Sequence, residues 1–302
     1  MTDPLSDHAK RIDEKANELE NNLNCDLILL VFHDYTQITH DVVEDLEFYI
    51  DSKDIDKSEK ESLCVMLYTF GGSADAAYHI GTRLQDFAGN KKLIFIVPRY
   101  AKSAGTLLAC SGDEIYATPI TELGPIDPQV YVKGTGSWIS AKVAKDSLKQ
   151  ILETMKEVGV LNSDTLRSAL RETHATELGH YNSLINHIKE LTTELLSRRM
   201  FKDNPSKAKE IAEKLVEGYS YHGRCINFAE CKRIGLNVKM VEDEKRKAIY
   251  SVYRAIKDFL DEVDKLLAPM MEIIREIGRP AQIPYELDHG YIYIPEFELE
   301  GF

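Results

Sequence analysis

Three stretches of the chain are almost unbroken runs of apolar residues: CDLILLVF (25–32), SLCVMLYT (62–69) and LIFIVP (93–98). A strand that buries one face alternates, whereas a strand that buries both reads as a continuous run. These runs therefore predict the centre of a mostly parallel sheet covered on both sides, with EIYAT (114–118) as a shorter fourth strand. Between them the apolar residues fall three and four apart. Val42, Val43, Leu46 and Ile50 predict a helix over 40–52, and Ala77, Ile80, Leu84 and Phe87 one over 73–88. A charged amphipathic helix is expected over 5–22, and another begins near Ser103. Strands alternating with helices make the fold class α/β.

The pattern changes after Gly136. Residues 139–158 and 163–218 are almost wholly helical in spacing, with a break at Asn204-Pro205. A small helix and strand follow (227–234 and 236–241), then a charged helix over 243–277 interrupted near Pro269. The tail GYIYIPEFELE (290–300) alternates and predicts an extended or edge segment. The expected organisation is an N-terminal helix (1–24), a core domain (25–242) with a helical insertion (139–218), and a C-terminal helix with a tail (243–302).

The 302 residues carry 37 Lys plus Arg against 50 Asp plus Glu, a net charge of −13. That balance argues against a nucleic-acid partner, which needs a basic face to displace counterions. The N-terminus lacks the apolar core of a signal peptide, and Leu27–Phe32 is far short of the ~20 residues that span a bilayer. The expectation is a cytoplasmic protein with no integral membrane segment. The five cysteines are scattered with no CxxC pair, which predicts buried free thiols. His180 and His187 share a helix face but have no partner set at ligand spacing, so no metal is expected.

Two glycine-bearing turns stand at the ends of two buried strands, Phe70-Gly71-Gly72-Ser73 and Lys102-Ser103-Ala104-Gly105. In parallel sheets ligands gather outside the carboxyl ends of the strands. Ser103 has two readings here. It is an N-cap, the common role of serine before a helix. Or it is a nucleophile, with the N–H groups of Gly72 and Ala104 placed to hold an oxyanion. Gly71-Gly72 matches neither GxxxxGK[ST] nor GxGxxG, which argues against a nucleotide cradle.

The runs FGGSADAAYHIGTRLQ (70–85) and YAKSAGTLLACSGDEIYATPITELGP (100–125) resemble the ClpP/crotonase superfamily. Within it they are most similar to the signal-peptide-peptidase-A-like serine peptidases and the serine dehydrogenase proteinase group. A third block, YSYHGRCINFAECKRIGLNVKMV (219–241), resembles the segment that closes the peptidase domain. The resemblance spans roughly residues 25–242. It implies a ClpP/crotonase-like parallel sheet built of ββα-type units, here with extra long helices. It also implies that Ser103 is the nucleophile, that Gly72 and Ala104 are the oxyanion donors, and that no cofactor is used.

A serine needs a base. ClpP-type members place a histidine about 25 residues after the serine, but no histidine occurs here between His79 and His174. The signal-peptide-peptidase-A-like members use a Ser-Lys dyad, with the lysine 40 to 50 residues downstream. Lys142, Lys145 and Lys149 fall near that range on one predicted helix. Lys142 is preferred because it lies near a helix N-terminus, whose partial positive charge favours the neutral amine, and Lys145 comes second. Asp127, in the turn GPIDPQ, caps backbone N–H groups or orients a base, and His222 reads as structural. The expected activity is that of a serine endopeptidase acting on peptide or protein substrates as a homo-oligomer. The rival expectations are a peptidase-like scaffold without turnover and, behind it, crotonase-type acyl-CoA chemistry.

Overall fold

A computed structural model describes residues 4–53, 58–132, 136–160, 162, 164, 175–270 and 281–296. The central strands are β1 (Cys25–Phe32), β2 (Ser62–Tyr68), β3 (Lys92–Val97) and β5 (Glu114–Ala117). They lie side by side in parallel, followed by β9 (Val238–Met240). All eight residues of β1 are buried, as a strand covered on both faces requires.

Alternate residues of β1 feed two separate cores. Ile28, Leu30 and Phe32 pack with α2 (Asp41–Ser52), α3 (Ala74–Ala88), α4 (Ala104–Ala109), α6 (Ala175–Arg198), α7 (Pro205–Glu217) and α8 (Phe228–Ile234). Leu27, Leu29 and Val31 pack with α1 (Ser6–Leu23) and α9 (Asp243–Leu267). The last two helices lie against one another, linked by Arg11 to Asp258 at 2.7 Å. The result is a three-layer α/β/α fold.

Two differences from the sequence pattern concern the ends of the fold's helices and sheet. The tail is extended, as one of its two readings had it, but it is not an edge: β11 (Gly290–Pro295) adds in parallel beside β1 with all six residues buried. The edge on that side is β10 (Gln282–Leu287), among the described residues the one antiparallel strand of this sheet, which forms a hairpin with β11; β9 is the opposite edge. Its mostly exposed side chains, Ile283 and Pro284 among them, form no apolar run, which hid it among loop residues. The second departure is a hairpin, β7 (Gln129–Val132) with β8 (Ser137–Ser140), ahead of α5 (Ala141–Glu157), so the predicted helix starts two residues late. The expected helical positions 163, 165–174 and 271–277, and the end of the tail from 297, lie outside the described residues.

Candidate active site

β2 and β3 run in parallel and deliver both glycine turns to the same end of the sheet. There a second, smaller layer begins. β4 (Tyr100–Ala101) pairs in parallel with β6 (Glu122–Leu123), and Thr69 bridges Ala101. The backbone is pinned on both sides of Ser103. Lys102 N–H donates to Thr69 O at 3.1 Å, Gly105 N–H to Lys102 O at 2.7 Å, and Thr106 Oγ1 to Ala101 O at 2.7 Å.

Held this way, Ser103 adopts φ 51° and ψ −117°, a conformation that residues with a Cβ seldom take. Such strain costs about 1–3 kcal/mol and persists only where the surroundings impose it. Ser73, in the neighbouring turn, behaves oppositely: at φ −70° its hydroxyl caps α3 by accepting from Ala76 N–H at 3.2 Å. The Ser103 side chain makes no capping hydrogen bond. The N-cap reading therefore belongs to Ser73, and the Ser103 hydroxyl is left for other work.

Gly71 and Gly72 pass directly beside this elbow, at φ 115° and 146°. A methyl group on Gly71 would stand 2.9 Å from both Lys102 O and Ser103 Cβ, and 3.4 Å from Ala104 N. On its other side the turn is tied to Ile38, which donates to Gly71 O at 2.9 Å and accepts from Ser73 N–H at 2.8 Å. The intervening Gly72 N–H is thereby skipped. Among the described residues neither Gly72 N–H nor Ala104 N–H donates a hydrogen bond. Two unpaired amide donors and a hydroxyl, gathered at the end of a parallel sheet, form an arrangement able to receive a carbonyl that is becoming an oxyanion.

The segment that follows β6 carries the next groups. Gly124 N–H donates to Thr106 Oγ1 at 2.9 Å, and a methyl on Gly124 would lie 3.4 Å from Ser103 N. Three residues later comes Asp127, buried, with Oδ1 2.7 Å from His222 Nδ1 and Oδ2 accepting from Gln129 Nε2 at 2.9 Å. His222 arrives from a distant part of the chain because Leu123 and Ile226 exchange two backbone hydrogen bonds of 3.0 Å in antiparallel pairing. The small layer thus sets β4, β6 and the segment around Ile226 side by side, with Ser103, Asp127 and His222 in the turns and loops that leave them. A carboxylate on Nδ1 fixes the imidazole tautomer and leaves Nε2 as the acceptor.

Sequence reasoning set His222 aside. Its only local signal was its place one residue ahead of Gly223-Arg224, and its partner lies 95 positions away. Lys142 sits in the first turn of α5, where its backbone N–H is capped by Ser140 Oγ at 3.2 Å. Its ammonium pairs with Asp146 at 3.2 Å. Lys145 is half-buried on the same helix. Among the described residues no hydrogen bond or ion pair joins either lysine to Ser103. Nor, among those residues, does any group of three or more His, Cys, Asp and Glu stand together as a metal site. Four of the cysteines are buried and Cys225 is exposed, all as free thiols.

The model of the ClpP-like SDH-type serine proteinase family matches residues 12–171 of this chain. Two uncharacterized proteins of Methanocaldococcus jannaschii are each 26% identical to it, over 190 and 189 residues. Each match covers 63% of this chain and 58% or 56% of the relative, so the chain spans less than two thirds of the length of the curated relatives it matches. Two solved forms of a 1510-N membrane-bound stomatin-specific protease, one with a substrate peptide, are similar with a TM-score of 0.44. They are 21% and 22% identical, covering 74% of this chain and 82% and 77% of theirs.

Proposed function

Because the chain belongs to the ClpP-like SDH-type serine proteinases, we propose that it hydrolyses peptide bonds through an acyl-enzyme formed on Ser103. The observation that carries this reading is the strained Ser103 backbone, held against two unpaired amide donors with its hydroxyl outside any cap. In the proposed reaction Ser103 Oγ attacks the scissile carbonyl and its proton passes to a base. Gly72 and Ala104 N–H stabilise the oxyanion, each such donor being worth ~100 to 1,000-fold in rate. The tetrahedral intermediate collapses as the C–N bond breaks and the base returns the proton to the leaving amine. Water, activated by the same base, then cleaves the ester.

Two groups compete for the role of base. The Asp127–His222 contact of 2.7 Å favours His222, with the buried carboxylate stabilising the imidazolium that forms. The Ser-Lys alternative assigns the role to Lys142 or Lys145, and requires Lys142 to leave Asp146. The proposed substrates are peptides or proteins, processed in the cytoplasm by a homo-oligomer that has no nucleic-acid partner. The charge of −13 supports the absence of a nucleic-acid partner, and the exposed apolar Trp138, Val158 and Val160 support an assembly. Among the described residues no helix is long and apolar enough to cross a membrane.

Labelling by a fluorophosphonate, with the modified residue identified by peptide mapping, tests the proposal. Wild-type protein labelled at Ser103 and unlabelled Ser103→Ala are expected. Equal labelling of the two removes Ser103 from the mechanism. The base is then read from three variants: His222→Gln silent with Lys142→Met and Lys145→Met active assigns the imidazole, and the reverse pattern assigns the dyad.

A further inference from the structure

The nucleophile turn hangs on a strand, β4, that is only two residues long. So short a pairing is weak by itself, yet it has to hold Ser103 at φ 51°. Resting on the reading of Ser103 as nucleophile, we infer that Glu122 is a positioning residue, whose carboxylate clamps both ends of β4 and sets Ser103 against the segment leading to Asp127. Glu122 Oε2 lies 2.9 Å from Lys102 Nζ, immediately after β4 and immediately before Ser103. Oε1 lies 3.3 Å from Arg99 NH2, immediately before β4. The backbone repeats the grip, with Glu122 N–H donating to Arg99 O at 2.7 Å.

The two cations depend on Glu122 unequally. Arg99 has other holds: NH1 donates to Ile120 O at 3.0 Å, NH2 donates to Tyr100 OH at 2.8 Å, and its guanidinium stacks 4.5 Å above the Tyr100 ring. Lys102 has Leu123 O at 3.3 Å and the more distant Tyr100 ring at 5.8 Å. The Lys102 side chain is 17% exposed and that of Glu122 is 23% exposed, so water screens the pair poorly. Hydrogen bonding from Lys102 holds the Glu122 carboxyl below its ordinary range, against the opposing effect of burial, and keeps it charged at neutral pH. The ion pair spans the gap between the residue before Ser103 and the first residue of β6, which leads into the segment carrying Gly124 and, further on, Asp127. Slack there changes the spacing between nucleophile and base without touching either.

The test uses the full chain and the fluorophosphonate itself as probe, with kinact and KI measured separately. Glu122→Gln keeps the shape and removes the charge. A shift of half an ångström or so predicts a loss of about ten-fold in kinact, since ~1 Å costs about 100-fold. KI is expected to stay put. Lys102→Met is expected to lose a similar factor, Lys102→Arg less, and the double variant no more than either single one. Glu122→Asp, which retains the charge, is expected to fall between wild type and Glu122→Gln, and serves if the amide variant folds poorly. Wild-type kinact in Glu122→Gln overturns the inference, as do additive losses in the double variant. So does a loss that vanishes once labelling is expressed per folded molecule. Those results leave Ser103 in place, whereas wild-type protein that is not labelled at Ser103 removes both the nucleophile and the clamp.

Discussion

Gly71→Ala separates a glycine that is merely comfortable from one the site cannot replace. At φ 115° the new residue enters a region that L side chains rarely adopt, and its methyl meets Lys102 O and Ser103 Cβ at 2.9 Å. The backbone conformation costs about 1–3 kcal/mol, and the crowding about another 1–3 kcal/mol because one of the atoms met is backbone. A total of about 2–6 kcal/mol is large against the ~5–15 kcal/mol that holds a typical domain. Relief is available only by pushing the Ser103 turn away from the Gly71-Gly72 loop, which should slow fluorophosphonate labelling by about 100-fold per ångström. Gly159→Ala is the control: its φ is 72°, yet no atom lies within 4 Å of the added methyl. It should cost about 1–2 kcal/mol from backbone conformation alone and leave labelling unchanged. Urea denaturation and labelling rate, measured on both variants, decide the matter. If Gly71→Ala labels at the wild-type rate, or is destabilised no more than Gly159→Ala, the loop is not what holds the elbow.

Ser103→Gly should abolish labelling while raising stability by about 1 kcal/mol, the relief of backbone strain less the added entropy of an unfolded glycine; a lower urea midpoint would contradict the strain. Arg199→Met should destabilise by about 2–4 kcal/mol while sparing labelling per folded molecule, because its guanidinium serves Lys91 O at 3.0 Å, Asp113 Oδ2 at 2.7 Å, Gln85 O at 3.1 Å and Gly89 O at 2.6 Å. A loss below about 1 kcal/mol would show that water replaces those bonds. Burial lowers the pKa of His33 despite opposition from Asp264 and Asp34, so below about 6.5 the unfolded chain takes up a proton that the folded chain resists. The stabilising effect is complete above that pH and falls away beneath it, by at most about 1.4 kcal/mol per pH unit. His33→Gln should therefore flatten the fall in urea midpoint between pH 7 and 5.5, and an unchanged slope would reject the assignment.

The central strands, and the helices between them, were legible because burial on both faces writes itself into consecutive residues. The same logic hid β10: a strand with one open edge and exposed side chains, Pro284 among them, carries no apolar run. Gly71-Gly72 and Ser103 were visible because each is a local departure from its surroundings, a turn with small residues just after an apolar run. The identity of the cap was not visible. Ser73 and Ser103 both precede a helix, and only backbone torsions imposed by Thr69, Ile38 and Ala101 tell them apart.

The sequence by itself determined the layered α/β plan, the end of the sheet where chemistry would gather, and the serine and glycines placed there. All of these follow from residues near one another in the chain. That Asp127 and His222 stand together was decided by tertiary structure alone. Asp127 meets His222 through one antiparallel pairing, Leu123 with Ile226, between segments far apart in the chain. Spacing along a chain measures contour length, whereas a proton transfer depends on distance through space, and the first does not fix the second.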